Sequence, residues 1–154
     1  MRATKLAAAE CAALVSAALV VVAVTLPASA SMGGPPKVKG AWARSTSMGQ
    51  MNGAAYLVLQ GTGTADRLVS ASVPRSVAMS AELHRTVMGA DGKMTMKHVA
   101  AVPVPANGTV RLEPGGYHVM LMELAKPLRA GSSFRLTLGF RSGTVKVTVV
   151  VKRG

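Results

Sequence analysis

Apolar and polar residues alternate in short runs along most of this chain. Ala54–Gln60 reads AAYLVLQ, Tyr117–Leu124 reads YHVMLMEL, and a stretch ending at Phe140 reads FRLTLGF. Alternation with a period of two turns one set of side chains to a core and the other to solvent, which is the mark of a half-buried β-strand. The same reading extends to Val38–Ala43, Arg67–Val73, Ala81–Val87, Met94–Val99 and Thr109–Leu112. It also covers the long stretch Leu128–Phe140 and the β-branched run Val145–Val151. Turn signals separate the runs: Gly61–Thr64, Pro74, Gly89–Gly92, Asn107-Gly108, Pro114–Gly116 and Ser142-Gly143. Pro103 and Pro105 limit their surroundings to an edge strand or an extended segment, because proline cannot donate to a ladder. No helical period runs for a useful length after residue 37, and no internal repeat is visible. The pattern predicts an all-β domain of about eight to nine short strands, a sandwich or a barrel.

The first thirty residues break this pattern. Arg2 and Lys5 precede an apolar stretch from about Leu6 to Leu26, and Pro27, Ala28, Ser29 and Ala30 follow. This is the layout of a secretory signal peptide with cleavage after Ala30. An uncleaved membrane anchor is the alternative, although Glu10 interrupts the run. Cys11 follows Glu10 at the very start of the apolar stretch, where lipid attachment is not expected. The predicted organisation is a leader over 1–30, a flexible tether over 31–37 (SMGGPP leads it) and one domain over 38–154.

Removing the leader removes the sole cysteine. The mature chain then has no thiolate zinc site, no iron–sulfur ligands, no cysteine nucleophile and no blue-copper cysteine. It carries sixteen Lys and Arg against five Asp and Glu, a net charge of +11. That surface favours anionic partners: a membrane, a cell-wall polymer or an acidic protein face. Nucleic acid is excluded on two grounds, export and the single scattering of the basic residues without interleaved aromatics. The five mature carboxylates form no pair with acid–base spacing, which weighs against an enzyme.

Nine methionines against five aromatics in the mature chain is an unusual balance. On a strand, His118, Met120 and Met122 share one face, while Val119 and Leu121 take the other. Met94, Met96 and His98 likewise share a face, and so do Glu82 and His84. The Gly89–Gly92 turn makes the segments around His84 and Met96 hairpin partners, which is expected to bring His84 near Met94 or Met96. Thioether sulfur is soft and neutral, a poor ligand for Zn²⁺, Ca²⁺ or Mg²⁺ and a good one for Cu(I), and imidazole suits copper in either oxidation state. The combination points to Cu(I) held outside the cell without cysteine.

These residues resemble the PCuAC-type periplasmic copper chaperones. That family's signature runs from a histidine, usually followed by methionine, through ten residues to a methionine and through twenty-one more to His-x-Met. Here His84 is followed by Arg85, ten residues (86–95), Met96, twenty-one residues (97–117) and His118-Val119-Met120. Arg85 in place of methionine is the one departure. The flanks Ala41–Arg44, Ala54–Leu57, Glu82–His84, Asp91-Gly92 and Leu112–His118 are also similar to the family's segments, so the resemblance spans about residues 38–151. It implies a cupredoxin-like Greek-key β-sandwich and a surface Cu(I) site made by His84, Met96, His118 and Met120. It further implies delivery of copper to the CuA centre of cytochrome c oxidase, often alongside SCO-type proteins. A monomer in the periplasm or outside the cell is expected.

Other residues are read against these four. Met122 is expected to pack beside the site, with a spare thioether ligand as its alternative, and Met94, another possible auxiliary, to flank Met96. His98 is expected to be an exposed bystander, with assistance to Cu(II) as its alternative. Met48 and Met51 (SMGQM) are either a lip over the metal or loop filler, and Trp42 is expected in the core. The competing function is a secreted adhesion or cell-wall-binding module that uses the +11 charge and no metal.

Overall fold

Ten strands account for nearly all the apolar alternation in the computed structural model, which describes residues 33–154. The leader, its cleavage point and Cys11 lie outside the described residues. The strands are β1 (Lys37–Arg44), β2 (Gly53–Gln60), β3 (Asp66–Ser72), β4 (Ala78–Met88), β5 (Met94–His98), β6 (Val102–Val104), β7 (Thr109–Leu112), β8 (Tyr117–Leu124), β9 (Ser133–Phe140) and β10 (Gly143–Lys152). Among the described residues there is no helix.

The strands form one hydrogen-bonded sheet that closes on itself. Its order is β5-β4-β8-β7-β2-β1-β10-β9-β3-β6, with further pairings of β8 to β2 and of β3 to β4. The last contact is a single residue pair, Ala71↔Ala81, and it completes a circuit through β4, β8, β2, β1, β10, β9 and β3. Of the two forms that the alternation allowed, the sheet takes the barrel-like one, where the resemblance implied a Greek-key sandwich. Closure gives each of these seven strands a partner on both sides, where two separate sheets would leave four open edges. β1 with β10, and β7 with β8, run parallel, and the other pairs are antiparallel.

Two sequence readings shift at their ends. Leu128–Ser132 is not strand: Arg129–Ser132 forms a turn in which Ser132 N–H donates to Arg129 O at 3.0 Å, and β9 begins only at Ser133. The Pro103 region does form an edge strand, β6, paired only with β3. Val102 and Val104 are buried while Pro103 between them is exposed, and an edge strand is where a residue without an N–H is tolerated.

The core is aliphatic. Leu57, Leu59, Leu68, Leu121, Leu136, Leu138, Val119, Val149 and Val151 are fully buried. On β8 the alternation works as read: Val119 and Leu121 enter the core, and His118, Met120 and Met122 take the other face. Trp42 is only half-buried and lies outside this core, contrary to expectation. A bulge in β1 between Lys39 and Trp42, with Gly40 at a positive φ of 58°, re-aims it onto its cross-strand neighbour Tyr56.

Candidate metal centre

Three strands carry the candidate ligands, and their order is β5-β4-β8. The β4–β8 register sets His84 opposite His118 and Glu82 opposite Met120. The β4–β5 register sets His84 opposite His98, Thr86 opposite Met96 and Met88 opposite Met94. The hairpin thus forms as predicted, but His84 faces His98 directly and Met96 only diagonally. Met94 lies at the far end of the hairpin.

The two central imidazoles are close. The ring centroids of His84 and His118 are 5.9 Å apart, and those of His84 and His98 are 5.7 Å apart, edge to face. His118 is only 3 % exposed, the one buried polar or charged residue among those described. Its Nδ1–H donates to Gly116 O at 3.2 Å. A carbonyl can only accept, so this bond puts the proton on Nδ1 and leaves a lone pair on Nε2. His84 mirrors this arrangement: Nε2–H donates to the Glu82 carboxylate at 3.2 Å, leaving the lone pair on Nδ1. His118 Nε2 and His84 Nδ1 are both buried, and neither has a hydrogen-bond partner. An unmet buried polar atom costs about 1–3 kcal/mol. Both lone pairs, on adjacent strands, are available to an electrophile.

Thioethers stand beside them. Met96, His118 and Met120 line one cavity of about 410 Å³ together with Tyr56, Gln50 and Asn52. Gly53 and Ala54, small residues on the same wall, leave the space open. Behind it Trp42 packs on Tyr56 at 4.7 Å, and the Tyr56 ring is 6.5 Å from that of His118. The loop before β2 closes the remaining side. It is tied down where Leu124 N–H donates to Met51 O, Glu123 N–H to Asn52 Oδ1 and Leu128 N–H to Thr46 Oγ1.

Of the residues singled out in the sequence, Met96, His118 and Met120 line this cavity, and His84 stands beside His118 on the adjacent strand. Met122, opposite Ser80, is half-buried farther along β8 and does not line the cavity. Met48 and Met51 are exposed and do not line it either, whereas Gln50 and Asn52 of the same loop do. His98 is exposed as expected, yet its ring touches the site through His84. Sequence reasoning missed Tyr56, Gln50, Asn52 and Thr46, which no spacing rule connects to the histidines. It read Glu82 onto the face of His84 but gave it no role. Among the described residues no three His, Cys, Asp or Glu side chains gather as a metal-holding group.

Burial lowers the His118 pKa below its ordinary 6.5. The bond to Gly116 O opposes this and the nearby His84 adds to it. Between that lowered value and 6.5 the unfolded chain takes up a proton that the folded chain refuses. Stability from this group is complete above 6.5 and declines as pH falls through the interval. The melting temperature of the metal-free protein is therefore expected to fall from pH 7.5 to 5, and His118→Leu to flatten that slope. Calorimetric scans across the range measure it.

Known proteins match this chain over most of its length. Residues 37–151 match the family model described as "Putative lipoprotein LpqE-like". A curated relative, "Putative lipoprotein Lxx21020" of Leifsonia xyli subsp. xyli, is 36 % identical over 135 residues, covering 84 % of this chain and 80 % of its own length. Among solved structures, the apo PCuAC domain from PmoF1 superposes with a TM-score of 0.66 at 26 % identity, covering 79 % of this chain and 97 % of that one. The Cu(I) form of DR1885 from Deinococcus radiodurans gives 0.63 at 32 % identity, covering 82 % and 84 %.

Proposed function

The chain belongs to the LpqE-like family and its domain is of the PCuAC type, and from that premise we propose that it is an extracytoplasmic copper chaperone that carries one tightly held Cu(I). The ligands are His84 Nδ1, His118 Nε2 and the sulfurs of Met96 and Met120. The observation that carries this is the pair of buried, partnerless imidazole nitrogens beside two thioethers. With metal–nitrogen bonds of about 2.0 Å, two imidazole centroids on one ion lie roughly 5–6.5 Å apart. The His84–His118 separation of 5.9 Å falls in that range. Neutral, soft donors select Cu(I) over the harder divalent ions. The Cu(I) form of the 32 % identical DR1885 supports the same cargo.

Each histidine is oriented by its second nitrogen, His118 through Gly116 O and His84 through Glu82. This is how metal-binding imidazoles are held in one tautomer. Cu(I) sits in a cavity open to solvent, with exposed Met96 on its rim. An acceptor bearing thiolates displaces thioether first and imidazole after, and the copper keeps its oxidation state throughout. The recipient we propose is an extracytoplasmic copper protein, the CuA subunit of cytochrome c oxidase or an SCO-type protein. No catalytic step is required of this chain.

Titration with Cu(I) under reducing conditions tests the reading. One tight equivalent is expected, with sulfur and nitrogen neighbours in X-ray absorption. Salt-dependent retention on anionic wall polymer without stoichiometric copper would instead identify a wall-binding module. Glu82 gives a finer test. Glu82→Ala frees the His84 tautomer and should weaken Cu(I) binding by about 10–100-fold. Glu82→Gln keeps an amide oxygen to accept from Nε2–H and should recover most of it. Competition with a Cu(I) chelator reads both.

A further inference from the structure

The tip of the β4–β5 hairpin carries three large apolar side chains in the open: Met88 is 68 % exposed, Met94 62 % and Met96 59 %. Core filling does not explain them. β5 pairs only with β4, so the hairpin projects past the barrel with one edge free. Directly opposed residues on antiparallel strands share a face. The register therefore divides the hairpin. One face bears His84/His98, Thr86/Met96 and Met88/Met94, and the other bears Arg85/Lys97 and Val87/Thr95. The basic side chains of the paired strands, Arg85 and Lys97, are on the second face, with Arg85 lying over the Tyr117 ring at 5.1 Å. In the turn at the tip, Lys93 pairs with Asp91 at 3.7 Å. The paired positions of the first face carry no Lys, Arg, Asp or Glu, and that face runs on into the candidate metal centre.

We propose that Met88 and Met94 form a second, weaker Cu(I) site at the hairpin tip, a landing position from which the ion moves over Met96 to the His84–His118 centre. Cross-strand partners hold their Cβ atoms about 4.5–5.5 Å apart, and methionine's flexible side chain lets both sulfurs reach one ion. Two neutral thioethers suit soft monovalent ions such as Cu(I) and not the harder divalent ones. At a rise of about 3.4 Å per residue, Met94 and Met96 on one face are roughly 7 Å apart, and Met96 and His98 the same. The movement is ligand exchange alone: one sulfur–copper contact forms as another breaks, with no electron or proton transferred. The basic face opposite keeps its positive charge away from the track. The transfer role rests on the copper reading of the central site, and the tip site itself does not.

The test uses Met88→Leu/Met94→Leu, which removes both sulfurs and keeps the apolar bulk. Cu(I) competition titration of the unaltered protein is expected to show a second, weaker equivalent that the double variant lacks, with the tight equivalent unchanged. Stopped-flow loading from a Cu(I)–bicinchoninate complex is expected to slow by roughly tenfold. An unaltered second equivalent together with an unaltered loading rate overturns the proposal. Loss of the second equivalent at an unchanged rate keeps the site and refutes the landing role. A further measurement separates the two readings. In His118→Ala/Met120→Ala, which lacks the central ligands, redox-inert Ag(I) should still shift the ¹³C-methyl resonances of Met88 and Met94. Absence of those shifts sinks the tip site whatever becomes of the central one.

Discussion

His118→Ala and Met120→Ala are each expected to lower Cu(I) affinity by more than roughly 100-fold while leaving a folded barrel. Disturbing a group that only orients a metal-binding imidazole costs about 10–100-fold, so deleting a donor atom should cost more. The His118 variant should show the larger loss. Its Nε2 is buried with no other partner, and imidazole binds copper more strongly than thioether. Fold survival follows from position. Both side chains leave the outer face of β8, whereas the core face is held by Val119 and Leu121. Met120→Leu removes sulfur at nearly constant volume, so its loss of affinity should match that of Met120→Ala. Chelator competition and far-ultraviolet circular dichroism on the same samples decide the matter. Wild-type affinity in both alanine variants would dismiss the assigned ligands.

The reverse separation is expected on the opposite face of the same strand. Leu121→Ala should destabilise the metal-free protein by about 2–5 kcal/mol, the range for truncating a fully buried leucine. For a domain of this size that lowers the melting temperature by roughly 10–20 °C. Leu121 has no exposed surface, pairs with Gly53 on β2 and Ala81 on β4, and belongs to the aliphatic core. Both cross-strand partners are small, so the space it leaves is poorly refilled. The Cu(I) affinity of the fraction that remains folded should change little, because Leu121 faces away from Met120. Thermal and denaturant unfolding give the stability loss. A collapse of affinity without loss of stability would show that the two faces of β8 are not independent.

These two variants define what the chain's alternation encodes. In YHVMLMEL the period of two assigned His118, Met120 and Met122 to one side and Val119 and Leu121 to the other, and the structure keeps that assignment. Strand positions were legible for the same reason wherever one face is buried and the other wet. Legibility failed at Leu128–Ser132, where an apolar start hid a turn, and at Trp42, where one bulge redirected a large side chain. Met122 shows the limit of a shared face: two residues beyond Met120 it has already left the cavity.

Local chemistry is written in the chain: which residues are soft donors, which side of a strand each one takes, and the absence of cysteine from residues 31–154. Register and closure are not. Whether His84 meets His98, Met96 or His118 depends on how β4 slides against β5 and β8, and a shift of one residue would send every donor to the wrong face. That choice is made by burying Leu83, Val119 and Leu121 together and by closing the sheet at Ala71↔Ala81. The cavity wall of Tyr56, Gln50 and Asn52, distant in sequence from the histidines, exists only once those non-local pairings have formed.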